Sequence, residues 1–317
     1  MTGAPAGLAW DRTAAGVAGV AALPSALVAL TDVHAGAAFA VGVLPAALAG
    51  VPPRRRDRVR GALLSALTGL CVLVGGVLSA VPVVAVAAIF LLGVGTARLA
   101  ARSRLGVLAM TLALPMVGIG LSFDAAAAAT AAALIALGGL WAWLVSLAWP
   151  EREPGPRPAQ PAGGTGPSLE YGIRLGAAGA TAAAIGFLLD LDHVGWAVAA
   201  ALLVMRPARE LQRLRSVGRI VSVLAGAVAS IALVRWDPGA AVYAIAIAGS
   251  VAAAAGTHPS RWYMTPAFTT FLVFLLFLTE DPGAAAARFG ERMGETLLGV
   301  AIAAVFALAG SRRPRGG

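Results

Sequence analysis

The sequence predicts an all-α membrane protein, a polytopic bundle of about twelve transmembrane helices arranged as two six-span halves in parallel repeat. Three observations predict this class: an apolar composition, a regular placement of arginines, and a linker between two similar halves. Of the 317 residues, 59% are apolar and 12% are charged, whereas soluble domains carry about 25% charged residues. A soluble core cannot cover so much apolar surface, so lipid must be the solvent for much of the chain.

Apolar segments recur along the whole chain. We count about twelve, at 13–31, 36–51, 61–79, 82–98, 105–122, 125–148, 171–189, 194–206, 219–234, 239–256, 263–279 and 293–310. The run from Val194 to Met205 is short, because about 1.5 Å per residue gives roughly 18 Å against a hydrocarbon core of about 30 Å. We expect this run to be either a short span or a tilted or re-entrant element.

The arginines predict the orientation of the chain. All 24 basic residues are arginine, and the net charge is +9. If the N-terminus is cytoplasmic and the segments alternate, every arginine except Arg235, Arg288 and Arg292 falls on the cytoplasmic side. We therefore expect a multi-pass protein of the cell inner (plasma) membrane with both termini in the cytoplasm. Orientation explains the positive charge better than nucleic-acid binding does.

Residues 150–168 are predicted to be a cytoplasmic linker, because proline and glycine dominate there and no apolar period survives. The linker separates an N-terminal transmembrane half, 1–149, from a C-terminal transmembrane half, 169–317. In both halves a turn containing Asp and His, at 32–36 and at 192–196, precedes a short segment and an arginine-rich loop. Each half begins and ends on the same side, so the repeat is predicted to be parallel.

These two turns are the first candidate site. Asp32 and His34 lie in one, and Asp190, Asp192 and His193 lie in the other. Paired short segments in two halves indicate the binding site of a transporter, and His with Asp can carry a proton near neutral pH. The alternative is that they are solvated turn residues, with Asp capping the next helix.

A second candidate precedes the last segment, where helical spacing places Arg288, Arg292 and Glu295 on one face. Within the bilayer each unpaired charge costs about 2.5–3.5 kcal/mol, so these groups would need partners or water. An arginine there can hold a substrate carboxylate through two parallel hydrogen bonds, whereas the alternative is a solvent-exposed turn. Trp196, near His193, is expected either to stack on an aromatic ligand or to anchor the helix at the membrane interface.

Motifs of catalysis are absent from the sequence. There is no HExxH, P-loop, CxxC or GxSxG pattern, and three scattered histidines argue against a metal site. We predict a protein that is not an enzyme, with no catalytic residue, metal or cofactor. Its expected partners are membrane lipid and a small organic anion, with no nucleic acid and with a homo-oligomer left open.

The second half resembles the FUSC family of fusaric-acid-resistance-type membrane proteins, within the aromatic acid exporter superfamily. The resemblance covers about residues 170–310 and is carried by Trp196, Pro207, Arg215, Arg219, Gly226, Tyr263, the run FTTFLVFLL and the run RMGETLLGVAIA. In the last run, Arg292, Glu295, Thr296 and Gly299 are similar to the family's Arg-x-x-acidic-Thr-Leu-x-Gly pattern. The resemblance implies two multi-span repeats and export of small, often aromatic, carboxylic acids.

These observations favour a proton-coupled exporter that works by alternating access. In this interpretation Arg292 and Arg288 neutralise the substrate carboxylate, His193 and Asp192 handle the proton, and Trp196 stacks on the ring. Two alternatives remain at this point. RRRDRVRG at 54–61 is faintly similar to a loop of major-facilitator transporters, and a non-transporting membrane scaffold or envelope accessory protein would also fit the composition.

Overall fold

The fold is helical throughout the part of the chain that the structure, a computed structural model, describes: residues 9–153, 167–260, 263–280, 283 and 285–309. The helices are α1 (Arg12–Ala21), α2 (Leu23–Ala29), α3 (Val33–Leu48), α4 (Val59–Leu78), α5 (Pro82–Ala100), α6 (Arg104–Leu108), α7 (Leu114–Gly120), α8 (Ala125–Leu147), α9 (Leu169–Leu188), α10 (Val194–Val204), α11 (Arg209–Trp236), α12 (Ala240–Thr257), α13 (Thr265–Glu280) and α14 (Ala285–Ala309). A short 3₁₀ helix, Arg55–Asp57, precedes α4, and a π-helical turn, Ala109–Ala113, joins α6 to α7.

Seven of these helices are long and apolar enough to cross a membrane: α4, α5, α8, α9, α11, α12 and α14. The pair α1 and α2 makes an eighth if it is one span bent by 45°. Helices α3, α10 and α13 and the stretch from α6 to α7 are apolar but shorter. The chain is therefore a multi-pass helical membrane protein. Each predicted apolar segment contains a helix, while twelve spans in two repeats stay a prediction.

Prolines account for the interrupted helices. Pro24 lies in the first turn of α2, where its missing N–H removes no helical hydrogen bond, and the chain bends just before it. Pro115 has the corresponding position in α7, directly after the π-helical turn. A π turn carries one extra residue, so the chain remains helical although the regular ladder is broken.

The contacts divide the chain into two compact units. Unit 1 comprises Met1–Gly69, Ala132–Arg157 and Val217–Glu291, and unit 2 comprises Leu70–Ala131, Pro158–Ser216 and Arg292–Gly317. Both units draw on sequence from either side of the predicted linker, most of which lies outside the described residues. The division into two sequence halves stays a prediction.

Unit 1 is built around α12, which packs against α1, α2 and α3, while α3 also packs against α13. Small side chains allow this close packing, and Ala37, Ala40, Ala254 and Ala255 are among the buried residues of its core. The first helices of the chain are therefore buried by helices from near its end.

Unit 2 shows the same pairing of helices as unit 1, but each predicted half takes the place that the other half has in unit 1. In it α9 packs against α5, and α10 packs against both α9 and α7. In each unit, the first two segments of one half thus contact the fourth and fifth segments of the other half.

Helix α10 is the most buried helix of unit 2. All of its residues except Leu203 are buried, and its surface is apolar on every side, as expected for a helix surrounded by others. The Gly195 N–H donates to Ser122 Oγ at 2.9 Å, and the carbonyl of Met205, just past the helix, accepts from the Tyr171 hydroxyl at 3.2 Å. Neighbouring side chains therefore fix both ends of α10. The helix is short, because eleven residues extend only about 16 Å.

Candidate functional site

Trp196 lies in the first turn of α10 and contacts two candidate residues. The imidazole of His193 stacks on it with the ring centroids 4.1 Å apart and an angle of 16° between the planes. The guanidinium carbon of Arg292 lies 4.2 Å from the centroid of the Trp196 ring. Three residues singled out from the sequence are thus brought together within unit 2, although 96 positions separate Trp196 from Arg292 in the printed numbering.

Close packing of α14 on α10 positions Arg292. Gly299 lies so near the Ala197 carbonyl that a Cβ at this position would overlap it, so only glycine permits this approach. Arg292 is two turns before Gly299 and is only 8% exposed, and Glu295, one turn from Arg292, is 3% exposed. The site therefore holds a buried cation and a buried acidic residue on one helix.

This arrangement suits the recognition of a carboxylate. A guanidinium attracts the face of an indole ring. The N–H bonds of a guanidinium lie in its plane and are directed outward from its edges. Those edges have the geometry that binds a carboxylate through two parallel hydrogen bonds.

In unit 1, Asp32 and His34 have structural contacts. Asp32 accepts a hydrogen bond from the Ala35 N–H at 3.0 Å and so caps α3, as the alternative interpretation predicts. His34 Nδ1 lies 2.9 Å from the Leu276 carbonyl oxygen, to which it can only donate. His34 thereby joins α3 to α13.

The two aspartates before α10 are exposed. Asp190 follows the end of α9 and has a φ of +50°, in the left-handed region that ends many helices. The Leu191 N–H donates to the Gly186 carbonyl at 3.0 Å, a bond typical of such a helix end. Asp192 is also exposed and lies directly before His193.

Arg288 has different contacts from Arg292. It forms an ion pair with Glu291 at 3.1 Å, and its guanidinium carbon lies 5.5 Å from the centroid of the Phe277 ring, all within unit 1. Arg288 therefore contacts Glu291 and Phe277, whereas Arg292 contacts Trp196.

Sequence reasoning missed Arg58, which appeared only as one of several arginines in a basic loop. Its side chain is 2% exposed. Its five N–H bonds are directed at five backbone carbonyls of unit 1, those of Pro52, Pro53, Ser146, Trp149 and Pro150. All donors are used, so Arg58 holds the loop before α4 against the end of α8. The sequence gives one indication that Arg58 is buried, namely its apolar neighbour Val59.

Among the described residues, no group of three or more His, Cys, Asp or Glu side chains could hold a metal ion. In unit 2, the guanidinium of Arg292 and the imidazole of His193 both contact the ring of Trp196. The fold and this site together define the class as a multi-pass membrane protein with a buried arginine–indole contact.

A comparison with protein-family models finds a match in the C-terminal part of the chain. Residues 181–306 match the family described as fusaric acid resistance protein-like. The resemblance predicted from the motifs is thereby confirmed, and the match includes His193, Trp196 and Arg292. Searches among curated proteins and among solved structures find no match to the chain.

Proposed function

We propose that the protein exports small organic acids, aromatic acids among them, across the inner membrane by alternating access coupled to protons. The contact of Arg292 with Trp196 and His193 is the observation that carries this proposal. A cation beside an aromatic ring offers separate recognition for the carboxylate and for the ring of an aromatic acid. Its position inside the region of family resemblance supports the same function.

The roles follow from the contacts. Arg292 neutralises the carboxylate, and Trp196 contributes its indole face to the ring of the substrate. Trp196 is buried and touches both His193 and Arg292, so a ring can reach it only when one of these moves. Alternating access supplies such a movement, since it opens the site to one side of the membrane at a time.

Coupling to protons is proposed to act through His193, because its imidazole shares the Trp196 ring with the cation Arg292. We assign proton handling to His193 and Asp192, we give Asp32 and His34 structural roles on the basis of their contacts, and we give the exposed Asp190 no role in transport.

The proposal includes twelve membrane segments in two parallel repeats with cytoplasmic termini. The exchanged pairing of the two units supports it, because equivalent segments of the two halves have equivalent partners. The short helices α3 and α10 occupy matching places in this pairing. Paired short segments are typical of transporters in which the site lies between broken or shortened helices.

Transport by purified protein in liposomes tests the proposal. Labelled benzoate should cross the membrane when a pH gradient is imposed, and labelled cyclohexanecarboxylate, which has the charge but no aromatic ring, should cross more slowly. Arg292→Gln should reduce benzoate flux at least tenfold, whereas Arg288→Gln, on the same helix, should reduce it less. Absence of carboxylate flux by well-folded protein would instead favour a membrane scaffold.

A further inference from the structure

Arg219 is a buried arginine of unit 1 that the exporter scheme does not use. It lies in α11 and is 5% exposed. Among the described residues it forms no ion pair with a carboxylate, its Nε has no hydrogen-bond acceptor, and its interaction is with the phenol of Tyr263. A cation therefore lies in the interior with an incomplete set of partners.

The surroundings of Arg219 are held in place by close backbone contacts. Ser222 Oγ donates to the Tyr263 carbonyl at 2.7 Å, and Gly226 lies so near the Ala267 carbonyl that a Cβ would overlap it. Val223, one turn after Arg219 on the same face of α11, is fully buried. Arg219 thus lies where α11 packs closely against the backbone of Tyr263 and Ala267.

Arg58 shows how this protein satisfies an arginine that has a structural role. Both arginines are buried in unit 1, yet Arg58 has carbonyl acceptors for all five of its N–H bonds. Arg219 has no comparable set. A buried charge without full compensation lowers stability, and such residues in membrane proteins mark paths for substrates or ions.

We propose that Arg219 is a second anion-binding residue, which holds the carboxylate of the exported acid on the cytoplasmic side; this rests on the proposed export function. Arg219 is the eleventh residue of α11, whose N-terminal end the predicted orientation places in the cytoplasm, whereas Arg292 is the eighth residue of α14, whose N-terminal end that orientation places outside. The guanidinium supplies the charge, and the Tyr263 hydroxyl supplies an additional donor. Arg219 is the intake site and Arg292 the release site.

Equilibrium binding of labelled benzoate to the full-length protein, held in nanodiscs of phosphatidylcholine alone, tests this proposal without requiring transport. Measured in the Arg292→Gln background, which removes the other proposed carboxylate contact, Arg219→Gln should raise the dissociation constant at least tenfold, and Arg219→Lys, which keeps the charge but loses the planar fork, should raise it less. In the same background, Arg213→Gln removes an exposed arginine from the same helix and should leave the constant unchanged within about twofold.

Thermal unfolding separates a binding role from a structural one. Without benzoate, Arg219→Met should unfold at a temperature no lower than wild type, because it removes an incompletely paired buried charge. With Arg292 replaced by glutamine in both proteins, benzoate should raise the unfolding temperature when Arg219 is present but not when it is replaced by methionine. A lower unfolding temperature for ligand-free Arg219→Met overturns the proposal.

Unchanged benzoate affinity of Arg219→Gln in the Arg292→Gln background also overturns the proposal. A stabilisation of wild type by phosphatidylglycerol, with none by benzoate, overturns it as well, because the ligand would then be a lipid phosphate. Benzoate binding that depends on Arg219, in a protein that transports no carboxylate, would support the site and refute the export function. The two failures are therefore distinguishable.

Discussion

Replacement of Arg58 by methionine tests whether five carbonyl contacts hold the loop before α4 against the end of α8. The change removes all five hydrogen bonds while it keeps much of the side-chain volume. The hydrogen bond from Arg58 to the Ser146 carbonyl is fully buried, so water does not readily take the place of the lost donor. The other four hydrogen bonds are partly buried. A buried carbonyl that loses its hydrogen-bond donor lowers the free energy of unfolding by about 1–3 kcal/mol, and a partly buried carbonyl lowers it by less. We expect a total loss of about 3–5 kcal/mol in the free energy of unfolding.

Thermal unfolding in detergent, followed by circular dichroism, measures this loss. At about 2 °C per kcal/mol for a chain of this size, the unfolding temperature should fall by roughly 6–10 °C. Arg56→Met removes an exposed arginine from the same loop and should change the free energy by no more than about 0.5 kcal/mol. A shift of 2 °C corresponds to about 1 kcal/mol in the free energy of unfolding. If both variants unfold within about 2 °C of wild type, the carbonyl contacts of Arg58 do not stabilise the fold.

The remaining predictions concern one residue each. Gly299→Ala should destabilise by about 1–3 kcal/mol and reduce transport, because its Cβ meets the backbone of α10, whereas Gly294→Ala, where a Cβ meets no atom within 4 Å, should be neutral or stabilising in the same thermal assay. His34→Asn can still donate to the Leu276 carbonyl and should retain both stability and pH-driven benzoate flux, whereas His34→Leu should lose about 1 kcal/mol; loss of flux in the stable asparagine variant would assign His34 to proton handling. Asp190→Gly should raise stability by up to about 1 kcal/mol, since glycine adopts a positive φ without strain, and pH-driven flux should persist; loss of flux in this stable variant would assign Asp190 to proton handling.

The helices could be predicted from the sequence because each apolar segment is a local property. Apolar runs between polar turns specified where helices form, and Asp32 was a recognisable cap for α3. The break between α1 and α2 was harder to predict from the sequence, since a proline within an apolar run fits either a kinked helix or two helices. The exchanged pairing of α12 with α1 could not be predicted, because it joins residues more than two hundred positions apart.

The site was partly predictable. Trp196 and Arg292 were singled out because the family pattern contains both and because each is unusual at its place in an apolar sequence. The contact of His34 with the Leu276 carbonyl could not be predicted from the sequence, since a backbone acceptor 242 residues away has no sequence signature. Arg219 carried a signal that was not used: it is flanked by apolar residues in VGRIVSV and so differs from the arginines of the preceding loop.

The packing of α1, α2 and α3 against α12 has a consequence for biosynthesis. Translation from the end of α3 at Leu48 to the start of α12 at Ala240 takes about 10–40 s at 5–20 residues per second. During this interval the alanine-rich faces of the first helices have lipid or an insertase as their neighbour, because their final partners do not yet exist. The nascent chain is therefore most vulnerable to membrane proteases before α12 and α13 emerge from the ribosome.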